Sequence, residues 1–147
     1  MKSLLIKGTK STPTVVLDPT NDRYVFAGNS LPENAAEFFE PVIQWLRTNS
    51  EGLPPGRNFI FRLSYFSTSS MKAFYMVLNL IREASLMQGK AHTISWQIED
   101  DDEFMSEAAE NFEELLGMSL ERVQLTAEQA TEESKKIERY VDAALAA

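Results

Sequence analysis

Residues 58–72 decide the fold, because in NFIFRLSYFSTSSMK an apolar strand leads through four consecutive hydroxyl residues into a helix. Side chains alternate between the two faces of a strand. One predicted face carries Phe59, Phe61, Leu63 and Tyr65, and the other carries Ile60, Arg62, Ser64 and Phe66. The helix that follows has apolar residues at three- and four-residue steps and a helix-ending glycine, Gly89. Its predicted apolar set is Met71, Phe74, Val77, Leu78, Ile81, Ala84 and Leu86. The stretch therefore predicts a central strand followed by a packed helix.

The composition is that of a single domain without disulfide bonds. A chain of 147 residues can bury a substantial core on its own, and this one contains no cysteine. The absence of cysteine excludes thiol nucleophiles and thiolate metal sites, and it fits a reducing compartment. Neither a spanning apolar run nor a signal peptide is recognisable, so we expect a cytoplasmic protein that does not bind membranes.

The charge balance argues against nucleic acid as a partner. The 22 acidic and 14 basic residues give a net charge of −8, and no basic patch is segregated along the chain. The single histidine, His92, precedes alternating apolar residues and is predicted to be a partly buried structural residue at a strand.

The segments before residue 58 predict strands and one helix. Short strands at 3–7, 13–18 and 24–27, separated by turn residues, indicate an antiparallel entry into the sheet. Ser30 and Glu33 have the spacing of a capping box, which predicts a helix start there and a helix to about Thr48. Pro41 deletes a hydrogen bond within this helix and predicts a kink near residues 37–41.

After the central strand and its helix, predicted strands and helices continue to alternate along the chain. A strand at 91–98 is followed by the acidic run 99–103, whose carboxylates suit the amino terminus of a third helix. An edge strand is expected at 120–125. A capping box, Thr126 with Gln129, opens a last helix. Its seam of apolar or small residues comprises Ala130, Ser134, Ile137, Val141 and Ala144. This seam could dock on the chain's own domain or mediate self-association. The whole pattern predicts an α/β fold, a single-domain mixed β-sheet with packed helices.

The residues do not point to an enzyme or to a cofactor. No phosphate-binding loop, HExxH, G-x-S-x-G or Cys/His cluster occurs. The hydroxyl cluster at 67–70 has two interpretations. It can simply cap the helix, or it can accept a phosphate that faces the unpaired N–H groups and positive dipole of the helix end. Chemistry alone leaves both open, with capping the simpler.

Three separated motifs, in order, resemble the SiaC family of bacterial regulatory phosphoproteins. They are GTKSTP at 8–13, AGNSLPENAAEFFEPVIQWL at 27–46 and SYFSTSSMKAF at 64–74. The resemblance covers roughly residues 3–125, so residues 1–125 are expected to form the family domain and 126–147 a C-terminal helical extension. It implies a fold like that of the anti-sigma-factor antagonists (SpoIIAA/STAS-like).

The resemblance also implies a partner-switching cycle rather than catalysis. A dedicated kinase phosphorylates one threonine, a PP2C-type phosphatase removes the phosphate, and the unphosphorylated form binds an effector. In the family's best-known system that effector is a diguanylate cyclase, whose cyclic-di-GMP promotes biofilm formation. The matching threonine is Thr68, with Ser67 and Ser69 as alternative acceptors. The implied partner-binding residues are Asn29, Ser30, Pro32, Glu33, Asn34, Ser69 and Ser70.

Ser67 stands where the family motif carries Asn, which adds a second possible acceptor and leaves Thr68 intact. Two further departures leave the effector open, because Pro41 interrupts the first helix and the last helix lies beyond the family's usual end. The effector could therefore differ from a cyclase. A scaffold module that self-associates through its last helix is the alternative from another class.

Overall fold

A six-stranded mixed sheet forms the centre of the molecule. The computed structural model describes all of residues 1–147. The strands, in spatial as well as sequence order, are β1 (Leu4–Ile6), β2 (Thr14–Asp18), β3 (Arg23–Ser30), β4 (Asn58–Phe66), β5 (Thr93–Glu99) and β6 (Glu121–Leu125). The first three strands pair antiparallel and the last three continue from β3 in parallel. The predicted antiparallel entry and the mixed sheet are confirmed.

Three helices cover one face of the sheet and one crosses the other. The helices are α1 (Ala35–Asn49), α2 (Thr68–Gln88), α3 (Glu103–Leu116) and α4 (Ala127–Ala146), with a short 3-10 turn at Ser50–Gly52. The main core joins the first three helices to the strands, and Phe74 of α2 is its aromatic centre, with rings from β3, β4 and α1 around it. The predicted α/β class is confirmed, whereas the STAS-like label stays a prediction.

A bulge in β4 corrects the predicted alternation. Gly28 of β3 pairs with Leu63 and Asn29 pairs with Tyr65, so Ser64 is an extra residue without a partner on β3. A bulge rotates the residues that follow it by one position. Phe66 therefore enters the main core and Tyr65 is 44% exposed, the reverse of the faces predicted for these two residues.

The first helix begins later than predicted, and the capping box at Ser30 is wrong. Ser30 is the last residue of β3 and is fully buried, because pairing with β4 continues to that point. The cap is Asn34, whose side chain accepts a hydrogen bond from the Glu37 N–H at 3.0 Å. Glu33 precedes the helix and cannot complete a box. Pro41 lies inside a continuous α1, and the kink stays a prediction.

The other helix ends follow the predicted chemistry. Ser67 caps α2 and Asp102, from the acidic run, caps α3. Gly89 and Gly117 adopt the left-handed conformation that ends these two helices, and Thr126 forms its capping box with Gln129.

Two members of the predicted apolar set of α2 are exposed. Leu86 is 70% exposed because it lies about 200° around the helix from the buried Ala84. Met71 is 39% exposed because it lies in the first turn, beside a groove that α3 leaves open. The remaining members of the set are buried as predicted.

The last helix docks on the chain's own sheet, on the face opposite α1–α3. Val141 of α4 is buried against Val16, Val25 and Ala27. The Tyr140 hydroxyl donates to the Asp18 carboxylate. The sequence left open whether the apolar seam of the last helix docks on its own domain or mediates self-association. In the structure this seam packs on the chain's own sheet. None of the helices is long and apolar enough to cross a membrane.

His92 is buried just before β5, which confirms its structural role. Its Nδ1 accepts the Arg57 backbone N–H at 2.9 Å, so the folded state requires the neutral imidazole. Burial and the nearby Arg57 guanidinium lower the pKa of His92 below its ordinary value.

Stability should consequently fall as His92 becomes protonated. A lowered folded pKa means that the contribution of His92 is present above the unfolded pKa of about 6.5 and is lost as the pH falls through the folded pKa. We expect the thermal midpoint to decline from pH 7.5 to pH 5, and to decline less in His92→Asn, whose amide oxygen can accept the Arg57 N–H. Parallel pH profiles of the two proteins by circular dichroism would contradict this assignment.

Candidate functional site

The candidate site lies at the junction of β4 and α2. Ser67 has an extended backbone and caps α2, its Oγ accepting the Ser70 N–H at 3.2 Å. The Ser67 N–H donates to the Ser30 carbonyl at 3.0 Å, which ties the junction to the end of β3. The chain therefore enters α2 along a fixed path at the carboxyl edge of the parallel strands.

Ser30 and Ser70 form a buried hydroxyl pair beneath this junction. The Ser30 Oγ donates to the Ser70 Oγ at 2.8 Å, and the Ser70 Oγ donates to the Ser30 carbonyl at 2.9 Å. Both residues have no exposed surface. Among the predicted partner-binding residues, these two are thus inside the protein. Their geometry supports a role in positioning the junction.

Removing the Ser70 hydroxyl should destabilise the protein without changing its exposed surface. In Ser70→Ala the buried Ser30 hydroxyl loses its acceptor, and such a change costs about 1–2 kcal/mol. The free energy of unfolding in urea measures this effect. The neighbouring exposed variant Ser69→Ala is the control and should change stability by no more than about 0.5 kcal/mol. Equal stabilities of the two variants would contradict the role of the pair.

Thr68 and Ser69 are the hydroxyls of this cluster that reach the surface. Thr68 is the first residue of α2 and its side chain is exposed, so a phosphate there would lie at the positive end of the helix dipole. Ser67 is half-buried and its Oγ is engaged in the cap. Accessibility therefore favours Thr68 and Ser69 over Ser67 as acceptors.

The structure brings some of the predicted partner-binding residues together and separates others. Glu33, Asn34 and Ser69 line one groove between α1 and α2. Asn29 instead donates from its side-chain amide to the Lys10 carbonyl at 3.4 Å, and Pro32 is half-buried in the preceding loop. The predicted set is thus divided between the groove, the loop and the interior.

Exposed apolar side chains surround Thr68 on its other side. We term them the α2–α3 patch, and they comprise Tyr65 (44% exposed), Met71 (39%), Tyr75 (37%), Phe104 (41%) and Leu115 (63%). The Tyr65 and Phe104 ring centroids are 4.9 Å apart. Thr68, Met71, Tyr75 and Leu115 line one shallow groove. Contiguous exposed apolar surface of this kind marks interaction sites.

Sequence reasoning missed the α2–α3 patch as a surface. Met71 belongs to the predicted apolar set of α2, and Tyr65 shares its predicted strand face with Phe59, Phe61 and Leu63. One signal was available. Leu115 and Leu116 are adjacent and point about 100° apart on a helix, so both fit one narrow buried stripe poorly. Tyr75, outside the α2 stripe, was a second such signal.

One cation stands beside the candidate acceptors. Lys72 and Ser69 line both grooves, the first with Thr68 and the second with Glu33 and Asn34. Glu33 and Glu40 line the second groove, whereas no carboxylate lines the first. The surroundings of Thr68 are therefore apolar with a single positive charge.

A family model, a related protein and solved structures match this chain. A family model described as SiaC family regulatory phosphoprotein matches residues 6–125, ending directly before α4. An uncharacterised protein of Pseudomonas aeruginosa strain UCBPP-PA14 is 37% identical over 115 residues, which are 78% of this chain and 90% of that protein.

Solved structures show the same similarity. Apo-SiaC from Pseudomonas aeruginosa is 33% identical, with a TM-score of 0.71, covering 83% of this chain and 98% of that one. A chain of the crystal structure of diguanylate cyclase SiaD in complex with its activator SiaC, from the same species, is 32% identical with a TM-score of 0.71. That match covers 84% of this chain and 98% of the other.

Proposed function

This chain belongs to the SiaC family of regulatory phosphoproteins, and from that membership we propose that it is a non-enzymatic partner-switching protein. Its unphosphorylated form binds and activates a diguanylate cyclase, as the complex of SiaC with SiaD suggests. One observation carries the proposal. The exposed hydroxyl of Thr68 stands at the rim of the α2–α3 patch, so its modification changes the surface that a partner would cover.

The proposed switch is a change of charge at Thr68. A Ser/Thr kinase adds the phosphate and a PP2C-type phosphatase removes it, and we place both reactions in the cytoplasm. The phosphate carries about −1.5 to −2 charges. Burying that charge against apolar groups without compensation costs several kcal/mol. Lys72 is the one cation lining the groove and can neutralise only part of it.

The fixed junction supports a switch that works without refolding. Thr68 follows a capping serine tied to β3, and Ser70 is held by the buried hydroxyl pair. A phosphate at the exposed start of the helix is compatible with this arrangement, because it faces the positive end of the helix dipole. The phosphorylated form is expected to keep the fold and lose the partner.

Synthesis of cyclic-di-GMP tests the proposal directly. The purified chain is mixed with a diguanylate cyclase of its own host, and product formation is followed with and without phosphorylation at Thr68. We expect the unmodified chain to raise the rate and the phosphorylated chain to leave it at the basal value. Equal rates with both forms would exclude the switch. Absence of activation by the unmodified chain would exclude the cyclase as effector.

A further inference from the structure

The sheet face beneath α4 contains a buried guanidinium without a carboxylate partner. Arg62 of β4 is 5% exposed. Its Nη1 donates to the Leu63 carbonyl at 3.3 Å, its Nε has no partner, and none of the ion pairs in the protein includes it. The buried Gln97 on β5 likewise has an unpaired Oε1.

Strand pairing places Arg62 on the α4 side of the sheet. Arg62 pairs with Ala27 of β3, and Ala27 belongs to the cluster formed with Val141 of α4. Ile60, two residues earlier in β4 and hence on the same face, packs against that cluster. Since α1, α2 and α3 lie on the other face, α4 is the helix that shields this side from water.

Burial of Arg62 opposes the docking of α4. A guanidinium keeps its charge in proteins, so burying this side chain also buries a charge. A charge that leaves water without an ionic partner loses hydration free energy that one carbonyl only partly replaces. Displacement of α4 would expose the Arg62 guanidinium to water again and restore this hydration free energy.

The contacts that hold α4 are few. Of its 20 residues, two are buried, Ala130 and Val141, while Ile137 and Tyr140 pack partly buried against the cluster around Val141. The ion pair between Lys7 and Asp142 is exposed on both sides, and exposed pairs of this kind contribute little. Tyr140 adds its hydrogen bond to Asp18, with the Arg23 guanidinium 5.2 Å from the centre of its ring.

We propose that α4 is a displaceable cover, which opens while the rest of the fold stays intact and exposes a second surface centred on Arg62. That surface combines a positive charge with the apolar residues Val16, Val25 and Ile60, and it lies on the face opposite the α2–α3 patch. The weakly held helix and the unpaired charge beneath it together set the opening equilibrium.

Hydrogen exchange of the full chain, read by mass spectrometry, tests this inference. In the wild type, α4 amides should exchange at least about 100-fold faster than the core amides of α2, because α4 opens separately. In Arg62→Met, which removes the charge and keeps the length, α4 exchange should slow by at least about tenfold while α2 exchange changes little. Tyr140→Phe should accelerate α4 exchange.

Two results would overturn the proposal. Equal protection of α4 and α2 in the wild type would show that α4 opens only with global unfolding, and this measurement needs no variant. Unchanged or faster α4 exchange in Arg62→Met, with a retained circular dichroism spectrum, would show that Arg62 does not oppose docking. None of these outcomes depends on phosphorylation or on a cyclase, so the inference is tested apart from the proposed function.

Discussion

Replacement of Thr68 by aspartate is expected to weaken binding of the effector cyclase by at least about 100-fold. A carboxylate at this exposed first position of α2 suits the helix dipole, so the fold should tolerate it. In the complex, however, it would be pressed against the apolar groove formed with Met71, Tyr75 and Leu115. An uncompensated charge of this kind costs several kcal/mol, and each 1.4 kcal/mol is about a factor of ten in affinity.

Isothermal titration calorimetry with the purified cyclase measures this effect. Thr20→Asp is the matched control, because it makes the same substitution in an exposed turn between β2 and β3, at the opposite end of β3 from the junction that carries Thr68. It should bind like the wild type. Thr68→Ser should also bind, since it adds no charge. If Thr68→Asp and Thr20→Asp bind equally well, charge at Thr68 is not what releases the partner.

Replacement of Leu115 by aspartate should weaken the same complex by about 10- to 100-fold. Leu115 is 63% exposed, so its side chain contributes little to the core. Burying a leucine in an interface is worth about 1.5–3 kcal/mol, and the substitution removes that gain and adds a carboxylate to be dehydrated. The thermal midpoint of the free protein should change little.

Leu86→Asp provides the comparison for Leu115→Asp. Leu86 is 70% exposed near the far end of α2, away from Thr68, so the same substitution there should leave affinity unchanged. Wild-type affinity in Leu115→Asp would remove the α2–α3 patch from the interface. Equal losses in the two variants would indicate a general effect of added negative charge, because the chain already carries a net charge of −8.

The parts of the fold that depend on local chemistry could be predicted from the sequence. The helix cap expected within residues 67–70, the capping box at Thr126 and the terminal glycine Gly89 act through hydrogen bonds within a few residues, and these predictions are confirmed. The resemblance to the SiaC family is confirmed by the family match. The division of the chain at residue 125 stays a prediction.

The errors arose where a distant strand decides the outcome. Ser30 has the spacing of a helix cap, yet pairing with β4 keeps it in a strand. Its buried hydroxyl donates a hydrogen bond to the Ser70 Oγ instead of capping a helix. The bulge at Ser64 exists only relative to β3, so alternation within β4 could not reveal that Tyr65 and Phe66 exchange faces. The role of Thr68 came from family resemblance and remains a proposal.

The hydroxyl pair between Ser30 and Ser70 has a kinetic consequence. Because it fixes the β4–α2 junction before any partner arrives, little loop entropy remains to be lost on association. Binding then needs no slow rearrangement, and association should proceed at the rates usual for preformed protein surfaces, about 10⁵–10⁷ M⁻¹s⁻¹. In the proposed switch, the lifetime of the complex, rather than the speed of its formation, would then set how quickly the partner is released.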